Sequence, residues 1–164
     1  MAKRFAADTS VSTEKSRGEI ERTLTRYGAS AFMYGWQPGG AVVAFQARGR
    51  HIRFLLPLPS KDEKRFTHTR RNQSATLYER SPTAAAEAWE QACRQSWRAL
   101  ALVIKAKLEA VEAGITEFED EFLANIVLPD GSTVGQWTRP QIAVAYDSGA
   151  MPKMLLSCAS EPMP

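Results

Sequence analysis

The chain has 164 residues, of which 44% are hydrophobic and 24% charged, an ordinary globular composition. This length predicts one domain with a substantial hydrophobic core and is too short for two. No apolar run approaches the length of a membrane span, and the first residues lack the apolar stretch of a signal peptide. Two cysteines without metal-like spacing, Cys93 and Cys158, favour a reducing compartment, so we expect a soluble cytoplasmic protein.

The net charge of +3 conceals an asymmetry between the two halves of the chain. Residues 1–80 hold 15 Lys or Arg against 7 Asp or Glu, whereas residues 81–164 hold 6 against 11. A basic half and an acidic half in one domain produce a charge dipole. Such a dipole favours an anionic partner on one side or head-to-tail self-association into a homo-oligomer, although ordinary solubility requirements also produce it.

The first third of the chain predicts a helix followed by a meander of strands. Residues 1–13 are small and polar without periodicity, so we expect a disordered arm there. Apolar residues at helical spacing predict a helix over Glu14–Tyr27, which Gly28 ends. Alternating apolar residues then predict three antiparallel strands separated by turns, at Ala31–Trp36, Ala41–Ala47 and Arg50–Leu56.

A long helix is the strongest prediction of the sequence. Ser81 can cap it, Pro82 suits its first turn, and no further Pro or Gly occurs before Gly114, so we expect a helix over Pro82–Ala113. Its apolar face predicts that Leu100, Ile104 and Leu108 are buried against the meander. The expected meander partners are Val43, Phe45, Ile52 and Phe54, and the expected core tryptophans are Trp36, Trp97 and Trp137.

The segments on either side of this helix are less regular. Residues 61–80 have no usable periodicity and predict a long basic loop. After the helix we expect a short acidic helix over Glu117–Asn125, one or two helices between Thr133 and Tyr146, and a flexible tail at 157–164. The predicted fold is therefore α+β: an N-terminal helix, a three-stranded antiparallel meander packed on one long helix, and a small helical C-terminal subdomain, all within one domain at 14–156.

The chemistry of a typical enzyme is missing from the sequence. Glu117, Glu119 and Glu121 suggest a metal site, but acids at a helix start equally complement the helix dipole, which we favour. Neither histidine has a Ser or Cys partner signal, and no glycine-rich phosphate loop, zinc spacing or nucleophile elbow occurs. We therefore expect no catalytic residue, no metal and no cofactor.

The basic residues of the first half point instead to nucleic acid. Cationic side chains neutralise phosphates, and aromatic rings stack on unpaired bases. A solvated surface with a flexible loop is the alternative. The expected phosphate contacts are Arg48, Arg50, Arg53, Lys64, Arg65, Arg70 and Arg71, and the expected stacking residues are Phe66 and Tyr78.

Three stretches carry a resemblance to known sequences: residues 14–29 (EKSRGEIERTLTRYGA), residues 49–57 (GRHIRFLLP), and residues 97–137, which include IKAKLEAVEAGI at 104–115 and LPDG at 128–131. Across residues 13–156 the chain resembles a group of small, uncharacterised bacteriophage and prophage proteins. This resemblance implies a phage origin and the bacterial host cytoplasm. The order helix, three strands, long helix is also similar in outline to the core of phage single-strand annealing proteins.

Together these observations predict a phage protein that binds single-stranded DNA in replication or recombination. The alternative is an accessory protein that binds and inhibits a host protein, such as a defence factor, through the acidic surface of residues 109–121 or through the basic loop.

Overall fold

The computed structural model describes residues 9–70 and 76–150. Most of the predicted arm at residues 1–13 and all of the predicted tail at 157–164 lie outside the described residues. The elements, in chain order, are α1 (Thr13–Arg26), β1 (Ala31–Gln37), β2 (Gly40–Ala47), β3 (Arg50–Pro57), α2 (Lys64–Thr67), β4 (His68–Arg70), β5 (Leu77–Glu79), α3 (Pro82–Glu112), α4 (Phe118–Phe122), a 3₁₀ turn (Leu123–Asn125) and α5 (Val134–Ser148).

The long helix α3 begins and ends where the sequence predicts. The Ser81 side chain accepts a hydrogen bond from the backbone N–H of Ala84, and Pro82 occupies the first turn. Gly114 follows the end of the helix with φ of +68°, a conformation that glycine adopts without steric cost. One face of α3 is buried, and it carries Cys93, Trp97, Leu100, Ala101, Ile104 and Leu108.

The meander forms an antiparallel sheet in the order β1–β2–β3, as predicted. Arg48 and Gly49, both with positive φ, form the two-residue turn between β2 and β3, a turn whose twist matches that of the strands. One face of the sheet packs against the helices, and its buried side chains alternate along β2 and β3. The outer strand β1 has no buried residue, whereas the other outer strand, β3, has three.

One hydrophobic cluster joins α1, the sheet, α3 and α4. It confirms that Leu100, Ile104 and Leu108 are buried together with the predicted strand residues Val43, Phe45, Ile52 and Phe54. Helix α4 closes this cluster, because the Phe122 ring meets the rings of Phe45 and Phe54 edge to face, at centroid distances of 5.9 and 6.3 Å. Such edge-to-face contacts stabilise a core beyond the area that they bury. The fold is the predicted mixture of α and β elements.

The segment between β3 and α3 is more ordered than the predicted loop. It contains the single-turn helix α2 and a two-stranded hairpin, in which β4 pairs with β5. Elements of three or four residues are too short to show a period, so the sequence pattern could not reveal them. The hairpin connection, residues 71–75, lies outside the described residues.

Residues 126–127, in the C-terminal part of the chain after α4, contact the edge of β3 that does not pair with β2. The backbone N–H of Val127 donates to the carbonyl of His51 at 2.8 Å, and Ile126 forms a bridge with Ile52. Thr133 and Gln136 form a capping box at the start of α5, which continues through Pro140 as one helix. Among the described residues, no helix combines the length and the apolar composition that crossing a membrane requires.

Candidate nucleic-acid interface

The predicted phosphate-binding residues fall into two groups at opposite ends of β3. Arg48 and Arg50 lie at the β2–β3 turn, where β3 begins, whereas Lys64, Arg65 and Arg70 follow the end of β3. A strand of eight residues spans roughly 25 Å at about 3.3 Å per residue. The two groups are therefore separate surfaces, and we call them the turn cluster (Arg48, Arg50 and His51) and the hairpin cluster (Lys61, Lys64, Arg65, Arg70 and Tyr78).

The turn cluster faces the acidic helix α4. The Arg48 guanidinium lies 5.5 Å from the centroid of the Phe118 ring, and Arg50 Nη2 lies 3.9 Å from Glu119 Oε1. Both arginines are exposed, so the ion pair is screened by water and adds little to stability. The carboxylate also reduces the positive potential that a phosphate would meet here.

Arg53 does not belong to either cluster, contrary to the sequence prediction. Its Nη2 donates to the carbonyl of Gly131 at 2.7 Å and to Oε1 of Gln136 at 3.1 Å. The backbone carbonyl of Arg53 in turn accepts from the side-chain amide of Asn125 at 3.1 Å. The fold brings residues 125–136 over this position, so Arg53 ties the C-terminal part to the sheet and is not a free phosphate ligand.

The hairpin cluster is built on α2 and on the hairpin of β4 and β5. Arg70 and Tyr78 are exposed on neighbouring strands, Arg70 opposite Leu77 and Tyr78 opposite Thr69. Lys64 is exposed on α2, and Arg65 Nε lies 2.7 Å from Glu63 Oε2. Arg71, also a predicted phosphate contact, lies outside the described residues. Lys64, Arg65, Arg70 and Tyr78 thus lie on consecutive short elements after the end of β3, and the register places Arg70 and Tyr78 on opposite faces of the hairpin.

This cluster is anchored to the beginning of α3. The indole N–H of Trp89 donates to the carbonyl of Pro59 at 2.8 Å, and Lys61 Nζ lies 4.3 Å from the centroid of the Trp89 ring. Arg80 Nε donates to the carbonyl of His68 at 3.3 Å, which fixes the base of the hairpin. These contacts therefore fix the position of the backbone that carries the cations of residues 61–70.

Phe66 is not available for stacking, which corrects the sequence prediction. Its side chain is only 4% exposed, because α2 turns it inward, and the Arg65 guanidinium lies 4.6 Å from its ring centroid. A single turn of helix was invisible to the periodicity argument, and without it the inward direction of Phe66 could not be inferred. Tyr78 is the one predicted stacking residue that the structure leaves at the surface.

Two of the three predicted core tryptophans are in fact at the surface. Trp97 is fully buried as predicted, but Trp36 is 64% exposed on β1 and Trp137 is 45% exposed on α5. The first strand of a meander is an edge strand, and that position was the signal that could have placed Trp36 outside the core. Sequence reasoning therefore missed an exposed aromatic residue that can contact a ligand.

Glu119 and Glu121 of α4 are paired with the cations Arg50 and Lys107. Lys107 Nζ lies 2.8 Å from Glu121 Oε1 and also donates to the Glu121 carbonyl. Within residues 9–70 and 76–150, no group of three His, Cys, Asp or Glu side chains is placed to hold a metal ion. Burial raises the pKa of the Cys93 thiol, which keeps it protonated and unreactive near neutral pH.

No family model matches this chain, and neither a curated protein nor a solved structure does. The functional argument therefore depends on the residues themselves.

Proposed function

We propose that the protein binds single-stranded DNA and serves the replication or recombination of a bacteriophage. The observation that carries the proposal is the hairpin cluster, which places several cations and an exposed tyrosine on consecutive short elements after the end of β3. The phage setting is supported by the sequence resemblance described above.

The chemistry of the hairpin cluster suits an unpaired strand. Lysine and arginine side chains neutralise phosphates without reading sequence, so binding of this kind has little base preference. The ring of Tyr78 offers a stacking surface, which every base can use. In duplex DNA the bases are already stacked on each other, so the aromatic contribution favours a single strand.

A salt titration of oligonucleotide binding tests this proposal. We expect micromolar or tighter binding of an unstructured oligonucleotide at low salt, weakening as salt rises with a log–log slope of about −0.7 per phosphate contact. Replacing Arg70 and Arg71 together by Ala should make that slope shallower by roughly one to two units. Fluorescence anisotropy of a labelled oligonucleotide measures both quantities.

A matched control separates local contacts from a general loss of charge. Lys105 and Arg139 are exposed on α3 and α5, outside both clusters, and their double Ala variant removes the same net charge. It should leave the salt slope nearly unchanged. Tyr78→Ala should weaken binding with the slope intact, since stacking releases no ions. Equal effects of the two double variants would argue against a contact at the hairpin.

The edge strand β1 favours a second candidate function, the binding of a host protein. Its seven residues, AFMYGWQ, include no charged residue and no proline, and Met33, Tyr34 and Trp36 are exposed on it. An uncharged edge of this kind can accept an added strand from a partner. If micromolar protein binds neither single- nor double-stranded nucleic acid, inhibition of a host protein becomes the better hypothesis.

A further inference from the structure

An open cleft of about 360 Å³ lies between the beginning of α1 and the first half of α3. Three of the four tryptophans of the chain border it, and β1 contributes one of them. The side chains that decide its chemistry are Arg17, Trp36, Trp89, Cys93, Arg94 and Trp97. Its volume is at the lower end of the range for small-ligand pockets, which suits a single planar ring system.

Trp36 supplies an aromatic surface that the protein itself does not cover. Its ring meets the buried ring of Trp97 edge to face, at a centroid distance of 6.2 Å and an interplanar angle of 72°. Trp97 is fully buried and fixes this contact, yet Trp36 remains 64% exposed. Proteins that bind single strands stack bases on exposed aromatic side chains of this kind.

The charges in the wall of the cleft are already compensated. Arg17 lies 4.8 Å from the centroid of the Tyr34 ring and pairs with Glu14 at 3.1 Å. Arg94 lies 3.8 Å from Glu90 and donates to the side chain of Gln91. Because each arginine has a carboxylate partner, the cleft offers no net positive charge to a phosphate. An uncharged aromatic group suits it better than a phosphate does.

A phosphate attached to such an aromatic group would contact a cation that lies outside the cleft. The ring of Trp89 borders the cleft, and Lys61 Nζ lies 4.3 Å from the centroid of the same ring. Lys61 lies three residues before Lys64, so the first residue of the hairpin cluster is at the border of the cleft. A strand whose phosphates follow the hairpin cluster can therefore place one base into the cleft.

We propose that this cleft holds an unpaired nucleobase, stacked on Trp36, of a strand whose phosphates contact Lys61 and the hairpin cluster. This inference rests on the proposed function, and it adds to Tyr78 a second base contact, in a site formed by α1, β1 and α3. Stacking of this kind accepts every base, so the cleft favours single strands over duplexes without selecting a sequence.

Oligonucleotides with and without bases test the inference. An oligothymidylate and an abasic strand of equal length carry the same phosphates, so their difference in affinity measures the contribution of the bases. We expect the protein to bind the base-containing strand about 5- to 150-fold more tightly, the equivalent of ~1–3 kcal/mol. Trp36→Ala should remove the part of this difference that the cleft contributes, leaving the part due to Tyr78, the abasic affinity and its salt slope unchanged.

Two further variants make the result specific to the cleft. Trp137→Ala removes another exposed tryptophan, on α5 and outside the cleft, and should keep the full preference for bases. Trp36→Phe keeps a planar ring and should retain much of the preference, which distinguishes lost stacking from a disturbed fold.

The outcomes separate this inference from the proposed function. If the protein binds both strands equally, or if Trp36→Ala and Trp137→Ala behave alike while binding persists, the cleft assignment is wrong and DNA binding stands. If the protein binds neither strand, both proposals fail.

Discussion

At the scale of single residues, close backbone contacts determine which positions tolerate change. Gly40 is buried at the start of β2, opposite Pro57, and a Cβ added there would overlap the backbone carbonyl of Leu56. Backbone atoms of a paired strand cannot move aside as a flexible side chain could. By contrast, a Cβ added to Gly35 on the edge strand β1 would meet no atom of the described residues within 4 Å.

This contrast gives a matched pair of glycine variants. Gly40→Ala should destabilise the protein by about 1–3 kcal/mol, the usual cost of forcing atoms into a packed site. Gly35→Ala should be neutral or slightly stabilising, because alanine restricts the unfolded chain and meets no steric barrier in β1. Urea denaturation of the two variants beside the unmodified protein provides the free energies of unfolding. A Gly40→Ala variant as stable as the unmodified protein would contradict the close approach of the β2 and β3 backbones at this position.

At the scale of elements, helix α3 organises the packing. Its buried face contributes Trp97, Leu100 and Ile104 to the shared cluster, while Val103, one residue before Ile104, is 45% exposed. The same face continues to Leu108 at its C-terminal end, near α4. The first half of the helix carries Trp89, which contacts Lys61 of the hairpin cluster, and Arg94, which borders the cleft. One helix thus supports both the core and the candidate interface.

Truncating a side chain of α3 should therefore lower the free energy of unfolding by an amount that depends on whether the side chain lies on the buried or the exposed face. Leu100→Ala or Ile104→Ala should cost ~2–5 kcal/mol, because the cavity left in a packed core adds to the lost transfer free energy. Val103→Ala, the matched control, should change the free energy of unfolding by less than about 0.5 kcal/mol. Chemical denaturation measures all three. A loss of only a few tenths at Leu100 and Ile104 would contradict the assigned face.

At the scale of the whole molecule, one core joins α1, the sheet, α3 and α4, whereas the β4–β5 hairpin and α5 lie outside it. The shared cluster draws residues from α1, from the sheet, from α3 and from α4. Strands β4 and β5 contain no buried residue, and α5 buries only Gly135. Elements with few buried apolar contacts open at lower free energy than the core does.

Unfolding should accordingly be one cooperative transition. In a Trp137→Phe variant, the remaining tryptophan fluorescence reports mainly on the region around Trp97. Its melting curve should coincide with the curve measured from the helix signal in far-ultraviolet circular dichroism. Amide hydrogens of β4 and β5 should exchange well before those of β2 and α3. Two separate transitions would mean that the helices and the sheet unfold independently.

The amino-acid sequence alone determined the elements whose signals are local. Helix α3 is defined without any tertiary information by the cap at Ser81, the uninterrupted apolar face and the stop at Gly114. The β2–β3 hairpin is defined by the alternation of apolar residues along its strands and by its positive-φ turn. The α+β class follows from the order of those elements. These signals suffice because they depend on helical and strand periods and on backbone conformations that few residues adopt.

Only the tertiary structure decided which residues form the candidate site. The sequence shows that Trp36 and Phe66 are aromatic, but not that Trp36 lies on an open edge and Phe66 faces inward. The burial of a side chain depends on neighbours that are distant in sequence. Arg53 and Gly131 are an example, since their hydrogen bond joins positions far apart in the chain. The cleft, bordered by Arg17, Trp36 and Trp97, exists because α1, β1 and α3 meet there, and no local pattern encodes that meeting.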